Sequence, residues 1–220
     1  MKKTQIAIFV VISIIAILAL ISLSKPKANV SQSLPGIEVD NFKGEKLTPI
    51  SETPALGIKG VQKIDVSNYK LSVEGLAKNK ISYTYDEVIN KYQSYTKVVT
   101  LNCVEGWSAK ILWEGVLIED LINDAQVYKD ANTVVFYSLD GYTTSLPLDY
   151  IKAEKIILAY KMNGVTLPED HGFPFRVVAE SKYGYKWAKW VTKIELTNDP
   201  NYKGYWEERG FSNDANISTP

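Results

Sequence analysis

The sequence is almost empty of the side chains that build metal and disulfide sites. Its 220 residues include one cysteine, Cys103, and one histidine, His171. A single cysteine excludes an internal disulfide, a cysteine-rich zinc site and an iron–sulfur cluster. No Cys-x-x-Cys-His occurs, which excludes covalently attached c-type haem, and a lone histidine does not make a catalytic zinc site. Arginine is nearly as scarce, with only Arg176 and Arg209. Twenty-five basic and twenty-five acidic residues cancel. No basic run occurs beyond the N-terminus, so the clustered positive face of a nucleic-acid binder is missing. No Gly-x-Gly-x-x-Gly or Walker-type loop is present, so nucleotide phosphates are not expected. Internal repeats and low-complexity blocks are lacking too.

What is present begins with an apolar run from Ile6 to Leu23, broken only by Ser13 and Ser22. Its 18 residues approach the length needed to cross a bilayer core and exceed the usual core of a signal peptide. Lys25 and Lys27 follow without an Ala-x-Ala site. Residues 1–24 are therefore expected to be an uncleaved transmembrane signal anchor rather than a cleaved signal peptide. The catalytic part is then expected outside the cytoplasm, tethered to the cell membrane by one pass. No lipobox-type cysteine accompanies the run. Residues 25–60 mix Pro26, Pro35, Pro49 and Pro54 with Gly36, Gly44, Gly57 and Gly60, show no sustained period, and read as a linker.

From residue 61 to 200 the pattern is that of one mixed α+β domain. An apolar share of 45%, with 14 Tyr, 6 Phe and 5 Trp, suffices for a core. Alternation predicts strands over 69–75 and 95–101, and β-branched or aromatic runs predict others over 132–139, 155–162, 176–180 and 190–197. Thr84 with Glu87 makes a capping box for a helix over 85–92. Helical spacing marks 117–125, and Pro147 opens a short helix over 148–152. Trp113-Glu114-Gly115-Val116 reads as a turn and Asn163-Gly164 as a hairpin turn. Residues 201–220 read as a C-terminal tail rich in Asn, Gly and aromatics. Short helices among many strands, without regular βαβ alternation, place the chain in the α+β class.

Two stretches carry chemistry. In Thr100-Leu101-Asn102-Cys103-Val104-Glu105-Gly106-Trp107-Ser108 a strand ends on the lone thiol and turns sharply, which presents sulfur at a pocket mouth. The bland alternative is a small buried hydrophobe. In the second stretch His171 and Arg176 flank a Gly-Phe-Pro turn, and Lys182, Lys186 and Lys189 follow. Imidazole, guanidinium and ammonium brought together would form an anion site suited to phosphate. The alternative is a solvated basic loop.

Taken in order, Cys-Val-Glu-Gly-Trp-Ser, Trp-x-Gly-Val, His-Gly-Phe-Pro-x-Arg and Lys-Tyr-Gly-Tyr-Lys-x-x-Lys-Trp resemble the molybdopterin-binding domain of the sulfite oxidase superfamily, from about Tyr69 to Thr197. The resemblance implies a β-rich mixed fold of that type and a molybdenum–molybdopterin cofactor, with tungsten as the alternative metal. It implies Cys103 as the catalytic thiolate ligand of the metal. It also implies that Ser138, His171, Arg176, Trp187, Ala188 and Lys189 bind the cofactor, with His171 and Arg176 on its phosphate. Animal and plant sulfite oxidases carry a further C-terminal dimerisation domain; the compact layout here resembles the bacterial periplasmic methionine-sulfoxide-reductase type and is expected to be monomeric. Beyond Arg176 only Arg209 remains, and a dianion such as sulfite is costly to desolvate without paired cations.

The expected activity is two-electron oxygen-atom transfer on a small oxo-anion, sulfoxide or N-oxide. Without a haem or iron–sulfur motif, electrons would be exchanged with a separate membrane or soluble haem protein. Two rivals are a non-catalytic cofactor- or anion-binding module on the same fold and a membrane-tethered structural domain.

Overall fold

The computed structural model describes residues 36–217. In chain order the first half runs β1 (Asn41–Phe42), β2 (Glu45–Lys46), β3 (Leu71–Gly75), β4 (Ile81–Tyr83), α1 (Tyr85–Lys91), β5 (Ser94–Asn102), β6 (Ser108–Leu117) and α2 (Ile118–Asp124). The second half runs β7 (Thr133–Ser138), β8 (Thr143–Pro147), α3 (Leu148–Ala153), β9 (Ile157–Met162), β10 (Val165–Thr166), β11 (Arg176–Val178) and β12 (Val191–Thr197). Strands β4-β3-β12-β7-β8 form one five-stranded sheet; β10-β9-β6-β5 form another, with β11 also on β9. Antiparallel pairing dominates, and β12 runs parallel to β3 with Ile194 opposite Val73. Both sheets feed one apolar cluster, which includes Leu71, Val73, Ile111, Trp113, Phe136, Ile157 and Ile194. This is a mixed, sheet-rich α+β fold, as expected.

Local chemistry explains most boundaries. The Thr84 hydroxyl accepts from the Glu87 amide at 3.1 Å, and the Glu87 carboxylate accepts from the Thr84 amide at 2.6 Å, completing the capping box of α1. Asn163 and Gly164 both have positive φ, 47° and 81°, joining β9 to β10 by the two-residue turn that this dipeptide favours. Trp113–Val116 is not a turn. It lies inside β6, where the pairing with β9 shifts register between Glu114 and Gly115. Gly115 is there because a Cβ would stand 2.3 Å from the Leu158 carbonyl oxygen of β9. The signal was a bulge, and glycine at close backbone approach mimics a turn in sequence.

Two further expectations are corrected. Of the stretch 25–60, the described residues 36–60 are packed rather than free. Leu47 is 2% exposed, the Val39 amide donates to the Asn163 carbonyl, and the Thr48 amide donates to the Lys110 carbonyl. Attachment runs through backbone bonds and turns, so it leaves no apolar period to read. The described part of the tail, residues 201–217, is also built in. Its Tyr205 amide donates to the Thr143 carbonyl, and Glu207 is 2% exposed. The expected anchor, residues 1–24, lies outside the described residues, among which no helix is long and apolar enough to cross a membrane.

Candidate active site

The β5–β6 hairpin places the thiol. Its loop is pinned where the Cys103 amide donates to the Trp107 carbonyl at 2.9 Å and the Gly106 amide donates to the Cys103 carbonyl at 3.1 Å. Gly106 has φ +92°, which a side chain would resist. Cys103 is half-buried, and burial pushes its thiol up. The backbone N–H groups of Glu105 and Val104 point at the sulfur and oppose that rise, while the Glu105 charge adds to it. A sulfur with amide donors already aimed at it suits a thiolate held by a cation.

The basic groups come from the chain around β11. A turn over Glu169–His171 ends on Gly172 at φ +114°, and a Cβ there would meet the Lys189 Cβ at 2.9 Å. The glycine therefore lets the Lys189 segment lie against the His171 turn. Arg176 opens β11 and is 6% exposed; its Nη1 donates to the His171 carbonyl at 3.3 Å, and its guanidinium lies over the rings of Trp113 and Trp187, at 5.2 and 5.8 Å. Lys189 Nζ donates to the Asp170 carbonyl at 2.7 Å and sits 4.3 Å over the Trp190 ring.

Two cations, Arg176 and Lys189, and the imidazole of His171 thus crowd together with little to balance them. Among the described residues Arg176 and Lys189 have no salt bridge, and His171 has only Asp170, 4.0 Å away. Burial, then the Arg176 charge, pulls the His171 imidazole down to about 4. Burial and Arg176 likewise bring Lys189 down to about 7, and burial alone brings Arg176 down to about 10. Arg176 Nε, His171 Nδ1 and Ser138 Oγ are buried without a hydrogen-bond partner among the described residues. Buried polar groups without partners are rare, and a bound anion would give Arg176 the partner it lacks.

A cavity of about 500 Å³ joins the two stretches: Cys103, Ser138, Arg176, Trp187 and Lys189 all line it. His171 and Ala188 are buried but not on its wall; Ala188 accepts from the Val177 amide and so fastens the Lys189 segment to β11. Lys182 and Lys186, read as part of the same basic cluster, are not in it. Lys182 reaches Asn216, and Lys186 reaches Glu207. Sequence reasoning missed Leu56, Gly57 and Asp140, and the wall made by Tyr205, Trp206 and Phe211. The aromatic density of the tail was the available signal for the last three.

The oxidoreductase molybdopterin binding domain matches residues 58–206. The chain belongs to that family. An uncharacterized oxidoreductase, YuiH of Bacillus subtilis, is 36% identical over 148 residues, 67% of this chain and 74% of the relative. A putative protein-methionine-sulfoxide reductase subunit, YedZ1 of Azospira oryzae, is 33% identical over 153 residues, 69% of this chain but only 57% of the relative. The fold matches the sulfane dehydrogenase SoxCD from Paracoccus pantotrophus with a TM-score of 0.61 at 19% identity, over 64% of this chain and 41% of that one. The resemblance to the sulfite oxidase superfamily is thereby borne out, and the protein is a molybdenum-cofactor-dependent oxidoreductase. The unpartnered polar atoms of Ser138 and Arg176 on the cavity wall, with His171 buried behind Arg176, suit a bound anionic group, and the half-buried thiol of Cys103 suits a soft metal.

Proposed function

We propose that the domain catalyses two-electron oxygen-atom transfer at a molybdenum ligated by Cys103, acting on a sulfoxide or N-oxide and exchanging electrons with a separate haem protein. The observation that carries this is the sharing of one cavity wall by Cys103, Ser138, Arg176 and Lys189. When bound, the cofactor supplies the two-electron couple. Cys103 offers a soft thiolate to a soft, redox-active metal. Arg176 and Lys189, with His171 behind them, would hold the phosphate, Trp187 would contribute to the cofactor's wall, and Ala188 would keep the Lys189 segment on β11. The surrounding rings keep water from the reacting centre. Sulfoxide chemistry is favoured over oxo-anions because Arg176 is the one arginine on the cavity wall, and a relative is named for methionine-sulfoxide reduction. The same reading places the domain as a monomer on the extracytoplasmic side, held by the Ile6–Leu23 run near its redox partner.

The test is metal and pterin content of the chain from residue 36 onward, made in a host that assembles molybdenum cofactor, beside its Cys103→Ser variant. About one metal and one pterin per chain, with the thiolate signature of the metal lost in the variant, is expected. A folded protein with neither would leave a binding module on the same fold. Tungsten in place of molybdenum would be read from the same assay.

A further inference from the structure

The outer part of the cavity is built unlike its floor. Five rings follow one another around it: Tyr142 and Tyr205 with centroids 5.8 Å apart, Tyr205 and Trp206 at 5.3 Å, Trp206 and Phe211 at 5.2 Å, and Phe211 and Tyr185 at 5.3 Å. All five line the cavity. The arc is closed where the Tyr142 hydroxyl donates to the Tyr185 carbonyl. Trp206 and Phe211 each leave 36% of their surface exposed, so both are partly accessible to a ligand. Another ring of the arc already takes a cation, for the Arg209 guanidinium lies 3.6 Å over Tyr205.

The charges on the wall point the same way. Among the described residues, four that line the cavity carry formal charge: Arg176, Lys189, Glu105 and Asp140. The two cations belong to the phosphate site. Neither Glu105 nor Asp140 has an ion pair among the described residues. Glu105 accepts from the Trp107 indole at 3.2 Å, and Asp140, 3% exposed, accepts from the Tyr142 amide at 3.0 Å. Asp140 also acts on Lys189 through its charge. Once a phosphate occupies Arg176 and Lys189, no other described cation lines the cavity to balance these two carboxylates.

Resting on the oxidoreductase reading above, we propose that the aromatic arc with Asp140 and Glu105 is a substrate subsite for a compact cationic group, such as a methylated ammonium, and that it turns away free oxo-anions. Ring faces attract such a cation through their quadrupole, and the carboxylates add charge complementarity. An anion such as nitrate or sulfite would have to pass the same carboxylates with no further described cation on the cavity wall to receive it.

Full-length protein carrying its cofactor, with metal and pterin measured on the same preparation, is titrated calorimetrically with tetramethylammonium chloride at constant ionic strength. The neutral tert-butanol serves as its uncharged counterpart, and nitrate and sulfite as competitors. Saturable binding of tetramethylammonium is expected, with tert-butanol weaker by about tenfold or more and no competition from either anion. Trp206→Leu, which keeps an apolar side chain but removes the ring, is expected to weaken binding about tenfold, and Asp140→Asn several-fold. Melting temperature and cofactor content show that each variant is folded and loaded. Equal binding of tert-butanol, indifference to Trp206→Leu, or binding lost when the cofactor is present would each overturn the subsite. Loaded protein that ignores tetramethylammonium overturns the subsite and leaves the oxidoreductase reading standing. Protein that never acquires metal or pterin overturns that reading first, and the subsite with it.

Discussion

The Lys186 ammonium lies 2.6 Å from the Glu207 carboxylate, and both side chains are almost wholly withdrawn from solvent, at 1% and 0%. Thr144 donates to the same carboxylate oxygen, and Lys186 also donates to the Ser145 carbonyl and to Asn213. Lys186 follows Tyr185, and Glu207 sits between Trp206 and Phe211 in the chain, so this one pair fastens the C-terminal segment to the cavity wall.

Removing one partner is expected to cost more than removing both. Glu207→Ala strands a buried ammonium, whose charged form burial already disfavours. Urea unfolding should show a loss of about 3–5 kcal/mol. The double variant Lys186→Met/Glu207→Leu should recover most of that, since replacing a buried pair by apolar groups is often near neutral. A single variant indistinguishable from wild type would mean that the segment is not held by this pair.

Gly172 offers a second test, because it joins backbone strain to cofactor retention. Alanine there must adopt φ near +114° and must also push Lys189 away from a 2.9 Å contact. A stability loss of about 1–3 kcal/mol is expected from the conformation. Pterin retained after gel filtration should fall, because Lys189 is displaced. Gly106→Ala, with φ +92° but open space around the missing Cβ, provides the comparison for strain alone.

Acid sensitivity follows from His171. Burial and the Arg176 charge hold the folded imidazole down to about 4, whereas the unfolded chain takes up the proton near the ordinary histidine value of 6.5. Between those values the unfolded state binds more protons, so stability falls as pH drops from 6.5 to 4 and levels off below. The loss from this group approaches ~3 kcal/mol at the low end. His171→Asn should flatten that part of the apoprotein's pH profile in parallel denaturant titrations. An unchanged slope would show that His171 is not what resists protonation.

What sequence could and could not disclose has a physical pattern. Short-range signals were legible: the capping box at Thr84, the Asn163-Gly164 turn, and the strand ending at Cys103. The anion site was legible in part, because His171 and Arg176 are tied through a five-residue turn. Lys186 shows where this fails. Its three ammonium donors and near neighbours match those of Lys189, yet its partner is Glu207, and nothing local encodes a pairing across 21 residues. The arm over residues 36–60 and the tail over 201–217 were illegible for another reason. They attach by backbone hydrogen bonds and by single anchors such as Leu47 and Glu207, which carry no period. The aromatic arc exists only because that tail returns to the cavity.

Lys189 gives the last prediction, on anion binding by the protein without its cofactor. Its ammonium titrates at about 7, held down first by burial and then by the Arg176 charge. Sulfate stays a dianion across neutral pH, so any change in its affinity there reports the protein. As pH falls through 7 the folded protein gains a positive charge beside Arg176, and sulfate binding should tighten about tenfold between pH 8 and pH 6. Binding in turn favours the charged form, so protons should be taken up at pH 7, which calorimetry in buffers of different ionisation enthalpy measures directly. Lys189→Met should bind weakly and without that pH dependence, whereas Lys182→Met, whose ammonium points to Asn216, should behave as wild type. Sulfate affinity that is flat with pH in the wild type would remove Lys189 from the phosphate site and leave Arg176 as its only anchor on the cavity wall.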